Sequence, residues 1–437
     1  MSIGVGYARD PLVSTERERK PLGLIALLTL GINGTIGVGI FFAPSAVAAN
    51  APGPNGAWVF VLAGLALMPV AFIYARLGGR FAEDGGPYVW ARLAFGPKVA
   101  FLIGFLTFVS AMFSTATVLT GLSTHLSAAF GPAFPLPPKG IAVVATLIFA
   151  GSAASGLRLS SLAWTSVTIL KMLPLILLSA LGIFAVLAGT APPAAAPAEA
   201  HMSDLGRALL IVVFALQGFE IVPVLAGSSH TERGVPLATL GTLVLCTLFY
   251  GVLHALCALA LPDLAGHKTP LVSAAQVFGG DVSARIVSVG QIISAMGIAF
   301  GQTVTTPRYL SALGRADAFG EWIGAEDARR VPQRALWVTT AAVIIAVLQE
   351  DLGGLFALAS IAVLAQYSVA TLALAVLAHR GYQGVQREQR FWALPALIGI
   401  VLVAQGAELK ELLGTALVTA IGAIVLFLRR ASAQTGA

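Results

Sequence analysis

Charged residues are scarce in this sequence: Asp, Glu, Lys and Arg make up 11% of the 437 residues, whereas 57% are hydrophobic. A soluble globular protein carries about 25% charged residues, because water must wet its surface. The shortage of charge therefore excludes an ordinary soluble domain. An apolar segment of about 20 residues crosses a bilayer as a helix. The composition thus predicts an all-α polytopic membrane protein with short loops.

Cysteine is also scarce, since only Cys246 and Cys257 occur, and they fall in one apolar run. Their spacing suits neither a disulfide framework nor a metal site. We therefore expect no metal and no cofactor. We also expect no cleavable signal peptide, because about twenty mostly polar residues precede the first apolar run, which is longer than the core of a signal.

Several long runs contain no charged residue at all, among them Pro21 to Ala75 and Val99 to Pro138. These runs are apolar on all sides, as membrane-spanning helices are. The sequence predicts twelve of them, at 21–47, 57–77, 98–124, 139–157, 161–188, 204–228, 237–261, 284–307, 334–349, 352–378, 391–406 and 410–428. Tails at 1–20 and 429–437 flank them.

The basic residues predict the orientation. With both termini in the cytoplasm, 20 of the 26 Lys and Arg residues fall on the cytoplasmic side, five on the other side, and Lys171 within the membrane. Such a bias is the positive-inside rule, and it predicts a protein of a membrane that borders the cytoplasm. Basic loops also suit anionic lipid head groups. The lipid bilayer therefore accounts for the net charge of +6, and we expect no nucleic-acid partner. The sequence leaves the oligomeric state open.

Two predicted helices contain residues that interrupt a helix near its middle. Helix 1 holds four glycines from Gly31 to Gly39 and then Pro44, and helix 6 holds Gly218 and Pro223. Glycine costs about 1 kcal/mol against alanine inside a helix, and proline removes a backbone donor. The two breaks lie at matching places in two sets of five helices, 21–190 and 204–380, whose orientations are opposite because five is odd. Matching breaks indicate the binding site of a secondary transporter. The alternative is that these glycines only allow close helix packing.

Four motifs, in this order, resemble the amino acid–polyamine–organocation transporters. They are Ile36-Gly-Val-Gly-Ile-Phe41, Phe81-Ala-Glu-Asp-Gly-Gly-Pro-Tyr-Val-Trp90, the run Phe214 to Glu220 followed by Val235-Pro236, and Arg315-Ala316-Asp317. The resemblance covers residues 21–380. It implies a five-plus-five inverted repeat (LeuT-like) with discontinuous helices 1 and 6, two extra helices at 391–428, and amino-acid transport by alternating access.

The resemblance also implies a substrate site built mostly from backbone. The substrate carboxylate maps onto the amides of Gly37, Val38 and Gly39. Its amino group maps onto the carbonyls of Thr35, Phe214 and Gln217, and the Phe214 ring matches an aromatic gate. These roles are chemically coherent, because amides at a helix start attract anions and free carbonyls attract ammonium groups.

Two ionisable residues in the spans are candidates for proton coupling. Lys171 lies ten residues past Ser161, about 15 Å along a helix, and ionisable groups at that depth are usually functional. It matches a helix 5 lysine that replaces the sodium ion in a proton-coupled branch of the family. Glu220 matches a glutamate associated with proton sensing and gating. The alternatives are a lysine that reaches a wet vestibule and a structural, hydrogen-bonded glutamate.

The sequence therefore predicts a proton-coupled amino-acid permease and not an enzyme. Sodium coupling and exchange of amino acids or amines remain open, and so do a channel and a polytopic membrane enzyme. Such an enzyme would need catalytic groups gathered at one cavity, and the spans contain no HExxH or GxSxG motif. The sequence shows no clear acidic residue that would pair with a positively charged substrate side chain, which weakly disfavours a dedicated cationic substrate. Which amino acid is carried stays undetermined.

Overall fold

The apolar runs form helices in the computed structural model, which describes residues 23–80, 86–131, 136–156, 161–192, 202–225, 234–315, 321–382 and 384–435. No strand occurs in these ranges. The helices are α1 Leu24–Thr35, α2 Gly39–Ala48, α3 Ala57–Gly78, α4 Pro87–Phe95, α5 Pro97–Phe130, α6 Pro138–Ala154, α7 Ser161–Leu187, α8 Met202–Leu216, α9 Ile221–Leu225, α10 Gly234–Ala260, α11 Pro270–Arg315, α12 Glu321–Gly324, α13 Gln333–Gln349, α14 Leu352–His379, α15 Ala393–Ala404 and α16 Leu409–Thr435.

Each of the twelve predicted segments coincides with a helix or a pair of helices. Among the described residues, seven helices are long and apolar enough to cross a membrane, and the number is up to nine if the bent pairs α1–α2 and α15–α16 each count as one span. Two more apolar helices, α6 and α13, are shorter than 18 residues. The prediction of a helical polytopic membrane protein is confirmed, while the count of twelve and the inverted repeat stay predictions.

Besides the four-residue α12, two longer α-helical segments were not predicted from the sequence. The first, α4, begins at Pro87 and ends before Gly96, whose φ of 87° suits glycine. The second is the start of α11, which precedes the predicted helix at 284–307 and is separated from it by Gly280, with φ 70°. Both segments are short and less apolar than the spans. The ends of both segments could nevertheless be predicted, because proline favours the first turn of a helix and glycine the position after its end.

Helices from the first and second halves of the chain pack against one another. The central helices α5 and α14 are in contact; α5 also packs against α11, α3 against α10, and α1 against α10. One large apolar cluster runs through the contacts of α3, α5, α10, α11 and α14, and a smaller one, with Leu27, Val235 and Ala238, lies between α1 and α10. The two predicted five-helix sets therefore do not form separate cores, and any site at the helix breaks receives residues from both halves.

Some predicted features lie outside the described residues. They are the tail 1–20, residues 81–85 of the second motif, residues 226–228 of the sixth predicted helix, and residues 316–317 of the fourth motif. The predicted tail at 429–437 begins within helix, because α16 continues to Thr435.

Candidate functional site

The first predicted helix is broken. It ends as α1 at Thr35 and resumes as α2 at Gly39, with a bend of 54° between the two parts. The Ile36 amide still donates to the Ile32 carbonyl at 2.8 Å, and the Gly37 amide turns back to the Thr35 carbonyl at 2.8 Å. Pro44 does not lie at the break but inside α2. The break is therefore set by the glycine-rich run and not by the proline.

The sixth predicted helix is broken in a similar way. Its first part, α8, ends at Leu216, and a turn over residues 217–220 leads into α9. Gly218 has φ 121°, a conformation that side chains other than glycine rarely adopt. The Gly218 amide donates to Glu220 Oε2 at 2.8 Å, and the Ile221 amide donates to the Gly218 carbonyl at 3.0 Å. Glu220 thus fastens the turn to which it belongs.

The two breaks touch each other. A methyl group added at Gly218 would collide with the backbone of Gly34 and would lie 2.6 Å from the Thr35 amide nitrogen. One added at Gly34 would lie 2.7 Å from Ile221 and 3.2 Å from the Gly218 carbonyl. Only residues without side chains permit this approach. The breaks predicted from separate parts of the sequence therefore meet at one place in the fold.

The three residues predicted to hold the carboxylate occupy different surroundings. Gly37 is partly exposed and has room for a small group, because an added methyl group would make only ordinary contacts, at 3.8 Å to Ile298 Cδ1 and to the Thr35 carbonyl oxygen. Gly39 is packed against α8, and its added methyl group would lie 2.8 Å from Ala215 Cα. The Val38 side chain is buried against Gly121 of α5. The amides of Gly39 and the next residues open α2, where helices leave amides without an intrahelical acceptor.

The carbonyls predicted to hold the amino group differ in availability. The Thr35 carbonyl accepts hydrogen bonds from the Tyr250 hydroxyl at 3.0 Å and from the Gly37 amide at 2.8 Å, which occupies both of its lone pairs. The Phe214 carbonyl accepts one bond, from the Gln217 amide at 3.3 Å. The Gln217 carbonyl lies in the turn between α8 and α9. A ligand ammonium would therefore meet Thr35 only by displacing one of its present donors.

The predicted aromatic gate, Phe214, lies between the two broken helices. Its ring is 4.7 Å from that of Phe356 on α14, at 46°. It also lies 3.2 Å from the position that a methyl group on Gly39 would take. Phe214 is 7% exposed, so little of its side chain is accessible in this structure.

Lys171 of α7 connects helix 5 of the sequence prediction to the first break. Its side chain is 2% exposed, and Nζ donates to the Asn33 carbonyl at 2.6 Å and to the Ile36 carbonyl at 2.8 Å. The last carbonyls of a helix have no partner within the helix and carry its negative dipole end. Lys171 therefore binds the end of α1 where a cation would be attracted.

Around Glu220 the structure gathers polar residues that sequence reasoning did not find. The side chains of Tyr74, Tyr309 and Tyr367 interact electrostatically with its carboxylate. Gln366 donates to the Tyr74 hydroxyl at 3.3 Å and accepts from the Thr107 hydroxyl at 3.2 Å. This network links α3, α5 and α14 to the turn of the second break. The only signal in the sequence is that each residue is polar within an apolar run.

Comparison with known proteins agrees with this geometry. The family model described as amino acid permease matches residues 22–433. The chain is 28% identical to an uncharacterized transporter of Mycobacterium tuberculosis, over 96% of this chain and 94% of that protein. It is 27% identical to the methylthioribose transporter of Bacillus subtilis, over 84% of each chain, and 27% identical to the serine/threonine exchanger SteT of the same species, over 68% of each chain. The resemblance inferred from the four motifs is confirmed.

Proposed function

The chain belongs to the amino acid permease family, and on this premise we propose that it carries an amino acid across the bacterial inner membrane by alternating access. The observation that carries the proposal is the contact between the two broken helices beside the partly exposed Gly37. Backbone groups at such breaks serve transporters as binding sites near mid-membrane. The proposed fold has twelve spans, of which the first ten form the inverted repeat.

In the proposed site, the substrate carboxylate lies at the start of α2, against the amides of Gly37, Val38 and Gly39. Positive dipole ends of helices and the free amides at a helix start favour an anion there, and the Gly37 amide would join them by leaving the Thr35 carbonyl. The amino group lies at the carbonyls of Phe214, Gln217 and Thr35. Since the Thr35 carbonyl already accepts two bonds, arrival of the substrate would release Tyr250 or Gly37. Binding and rearrangement of the first break would therefore be coupled.

We further propose that protons drive the transport through Lys171, with Glu220 as a second protonatable group at the other break. A charged ammonium donates three hydrogen bonds, whereas a neutral amine is a weaker donor. Protonation would strengthen the bonds from Lys171 to Asn33 and Ile36, and deprotonation would loosen the end of α1. Only a group that interacts differently with two conformations can shift the balance between them. Lys171 meets this condition because it bonds to the end of α1, and α1 is the helix that precedes the first break.

The proposal is tested by concentrative uptake of labelled amino acids into sodium-free proteoliposomes with an imposed pH gradient. Wild-type protein is expected to accumulate substrate, to do so faster as the external pH falls, and to stop when an uncoupler is added. Lys171→Met is expected to lose accumulation. The matched control is Lys139→Met, since Lys139 also donates to a carbonyl, that of Leu348 at 2.6 Å, but is exposed. If Lys171→Met accumulates substrate as well as this control does, Lys171 is not the coupling residue.

A second mode, exchange without net accumulation, is favoured by one relative, since a serine/threonine exchanger is similar over 68% of the chain. An exchanger would take up label only when the vesicles contain unlabelled amino acid, and a pH gradient would not raise the plateau. Sodium-coupled symport would instead require external sodium. The same preparation therefore separates the three modes, and a membrane enzyme would show none of them.

A further inference from the structure

A pair of uncharged polar side chains joins α5 to α11 in the middle of the bundle. Gln302 Nε2 donates to Ser114 Oγ at 3.0 Å. Both residues are partly exposed, although Phe113, Thr115 and Thr303 beside them are buried. Because lipid offers polar side chains no hydrogen bonds, the partial exposure of this pair points to a polar space between the helices.

On α11 the pair lies next to the first break. Ile298 Cδ1 lies 3.8 Å from the position that a methyl group on Gly37 would take. Gln302 follows Ile298 by four residues, so it lies one turn further along the same face of the helix. The face of α11 that contacts the break therefore also carries Gln302.

On α5 the same relation holds. Gly121 packs against Val38 of the break, where an added methyl group would lie 2.5 Å from the valine side chain. Ser114 precedes Gly121 by seven residues, which is two turns, so it lies on the same face about 10 Å along the helix. The helices α5 and α11, which both contact the first break, thus carry the Ser114–Gln302 pair on the faces that point towards it.

The pair has an unused hydrogen-bonding group. The Oε1 atom of Gln302 is buried and has no hydrogen-bond partner in the part of the chain that the structure describes, and the same is true of Nε2 of Gln217 in the second break. Buried polar groups are nearly always paired. Because an amide offers a donor at one end and an acceptor at the other, a ligand with a hydroxyl or carboxamide group would satisfy either one.

The charged side chains at the breaks are already occupied. Lys171 donates to two carbonyls of the first break, and Glu220 accepts from the Gly218 amide in the second. A charged ligand side chain in the space beside Ser114 and Gln302 would therefore lack a free counter-ion, and an unpaired charge out of water is strongly disfavoured.

We propose that the space beside Ser114 and Gln302 receives the substrate side chain and selects small uncharged amino acids that bear a hydroxyl or carboxamide group. This inference rests on the proposed function, because it assigns the side-chain part of the same amino-acid site. Gln302 and Ser114 are the specificity-determining residues, and Gln217 contributes the second amide at the opposite break.

The test compares substrates of equal shape in counterflow with purified protein in proteoliposomes. Threonine and valine differ by a hydroxyl in place of a methyl group, and asparagine and leucine are similarly matched. We expect threonine to bind about tenfold more tightly than valine, because valine leaves the site's polar groups unpaired. We expect the same order for asparagine and leucine, and no competition from arginine or aspartate.

Variants locate the selectivity. Gln302→Met and Ser114→Ala are expected to bring the ratio of threonine to valine affinity from about tenfold towards one, whereas a general folding defect would weaken both substrates alike. Ser152→Ala is the matched control for Ser114→Ala, because the Ser152 hydroxyl lies on α6 and donates to the Ile148 carbonyl of its own helix. It should keep the wild-type ratio.

The outcomes separate this inference from the proposed function. If valine binds as tightly as threonine, or if arginine or aspartate exchanges best, the inference is wrong while amino-acid transport stands. An unchanged ratio in both Gln302→Met and Ser114→Ala also overturns it. If no amino acid of any class exchanges, the proposed function itself fails.

Discussion

Gly37 and Gly39 have different roles, although both belong to the same motif. An alanine methyl group at Gly37 would meet no atom of another residue closer than 3.8 Å, whereas at Gly39 it would press on the backbone of Ala215 at 2.8 Å. Gly37 therefore has room for a small group beside it, whereas Gly39 allows two helices to approach. The sequence motif does not distinguish these roles, because both positions are glycine and lie two residues apart.

Gly37→Ala is expected to fold like wild type and to bind substrate at least tenfold more weakly, since its methyl group enters the proposed carboxylate space. Gly39→Leu is expected to lose stability by about 1–3 kcal/mol, because it forces α2 away from α8. Its loss of transport would thus follow from strain between helices and not from blocking the carboxylate alone. Thermal unfolding in detergent and counterflow affinity measure the two effects. Unchanged affinity in a stable Gly37→Ala protein would remove Gly37 from the site.

Glu220 combines a structural hydrogen bond with its proposed role in proton coupling, and two substitutions separate them. Glu220→Gln keeps an oxygen that can accept from the Gly218 amide, so it should unfold at nearly the wild-type temperature. Glu220→Leu leaves that amide unpaired and should cost about 1–3 kcal/mol. If Glu220 also takes part in coupling, the glutamine variant should transport with an altered dependence on pH. Equal stability of both variants would contradict the structural role.

At the scale of the helix, the contact between the two breaks depends on Gly218. Its φ of 121° disfavours any side chain, and a methyl group there would overlap the Gly34 carbonyl. Gly218→Ala is expected to cost at least about 1–3 kcal/mol from the backbone conformation alone. The matched control is Gly151→Ala in the last turn of α6, where an added methyl group meets nothing within 4 Å, and where alanine should be neutral or stabilising. Similar unfolding temperatures for both variants would refute the close crossing of the breaks.

The loop between α12 and α13 is organised by one carboxylate outside the membrane. Asp327 accepts hydrogen bonds from the Gln333 side chain and from the amides of Val331 and Arg329, and these bonds lower the pKa of its carboxyl below the ordinary value. A lowered pKa stabilises the folded loop above the ordinary pKa, and this stabilisation is lost as the pH falls through the lowered value.

Amide hydrogen exchange should therefore show that Val331 and Arg329 lose protection below about pH 4, while amides within α13 keep theirs. In Asp327→Ala the two loop amides should be unprotected at every pH. Protection that stays constant from pH 6 to pH 3 in wild-type protein would show that the carboxylate does not hold the loop.

Most helices were predictable from sequence to within a few residues, because long apolar runs have few alternatives in a bilayer, but α5, α11 and α16 extend well beyond their predicted ends. The position of the first break was also readable, since Gly34, Gly37 and Gly39 mark it. Its partners were not: Tyr250 bonds to Thr35 across 215 residues, and Gln366 to Tyr74 across 292. Such pairs depend on how the helices pack, and an apolar pattern of period 3.6 does not encode which helix is the neighbour.

At the scale of the whole molecule, interleaved packing makes the two halves depend on each other. α1 packs on α10, and α5 packs on both α11 and α14. Within a bilayer such contacts come from close packing and hydrogen bonds and not from the hydrophobic effect. A rearrangement at either break would therefore move helices of the other half, as the proposed alternating access requires.

The orientation of the molecule is the last expectation, and it depends on charge alone. With 20 basic residues on one face and five on the other, the positive-inside rule places both termini in the cytoplasm, which also requires an even number of spans. A reporter that is active only outside the membrane should be silent when it is fused after Gln434, and active when it is inserted near Lys268. Activity at both positions would mean an odd number of spans, which would exclude twelve. Activity only after Gln434 would invert the molecule and place Lys139 and Arg207 in the cytoplasm.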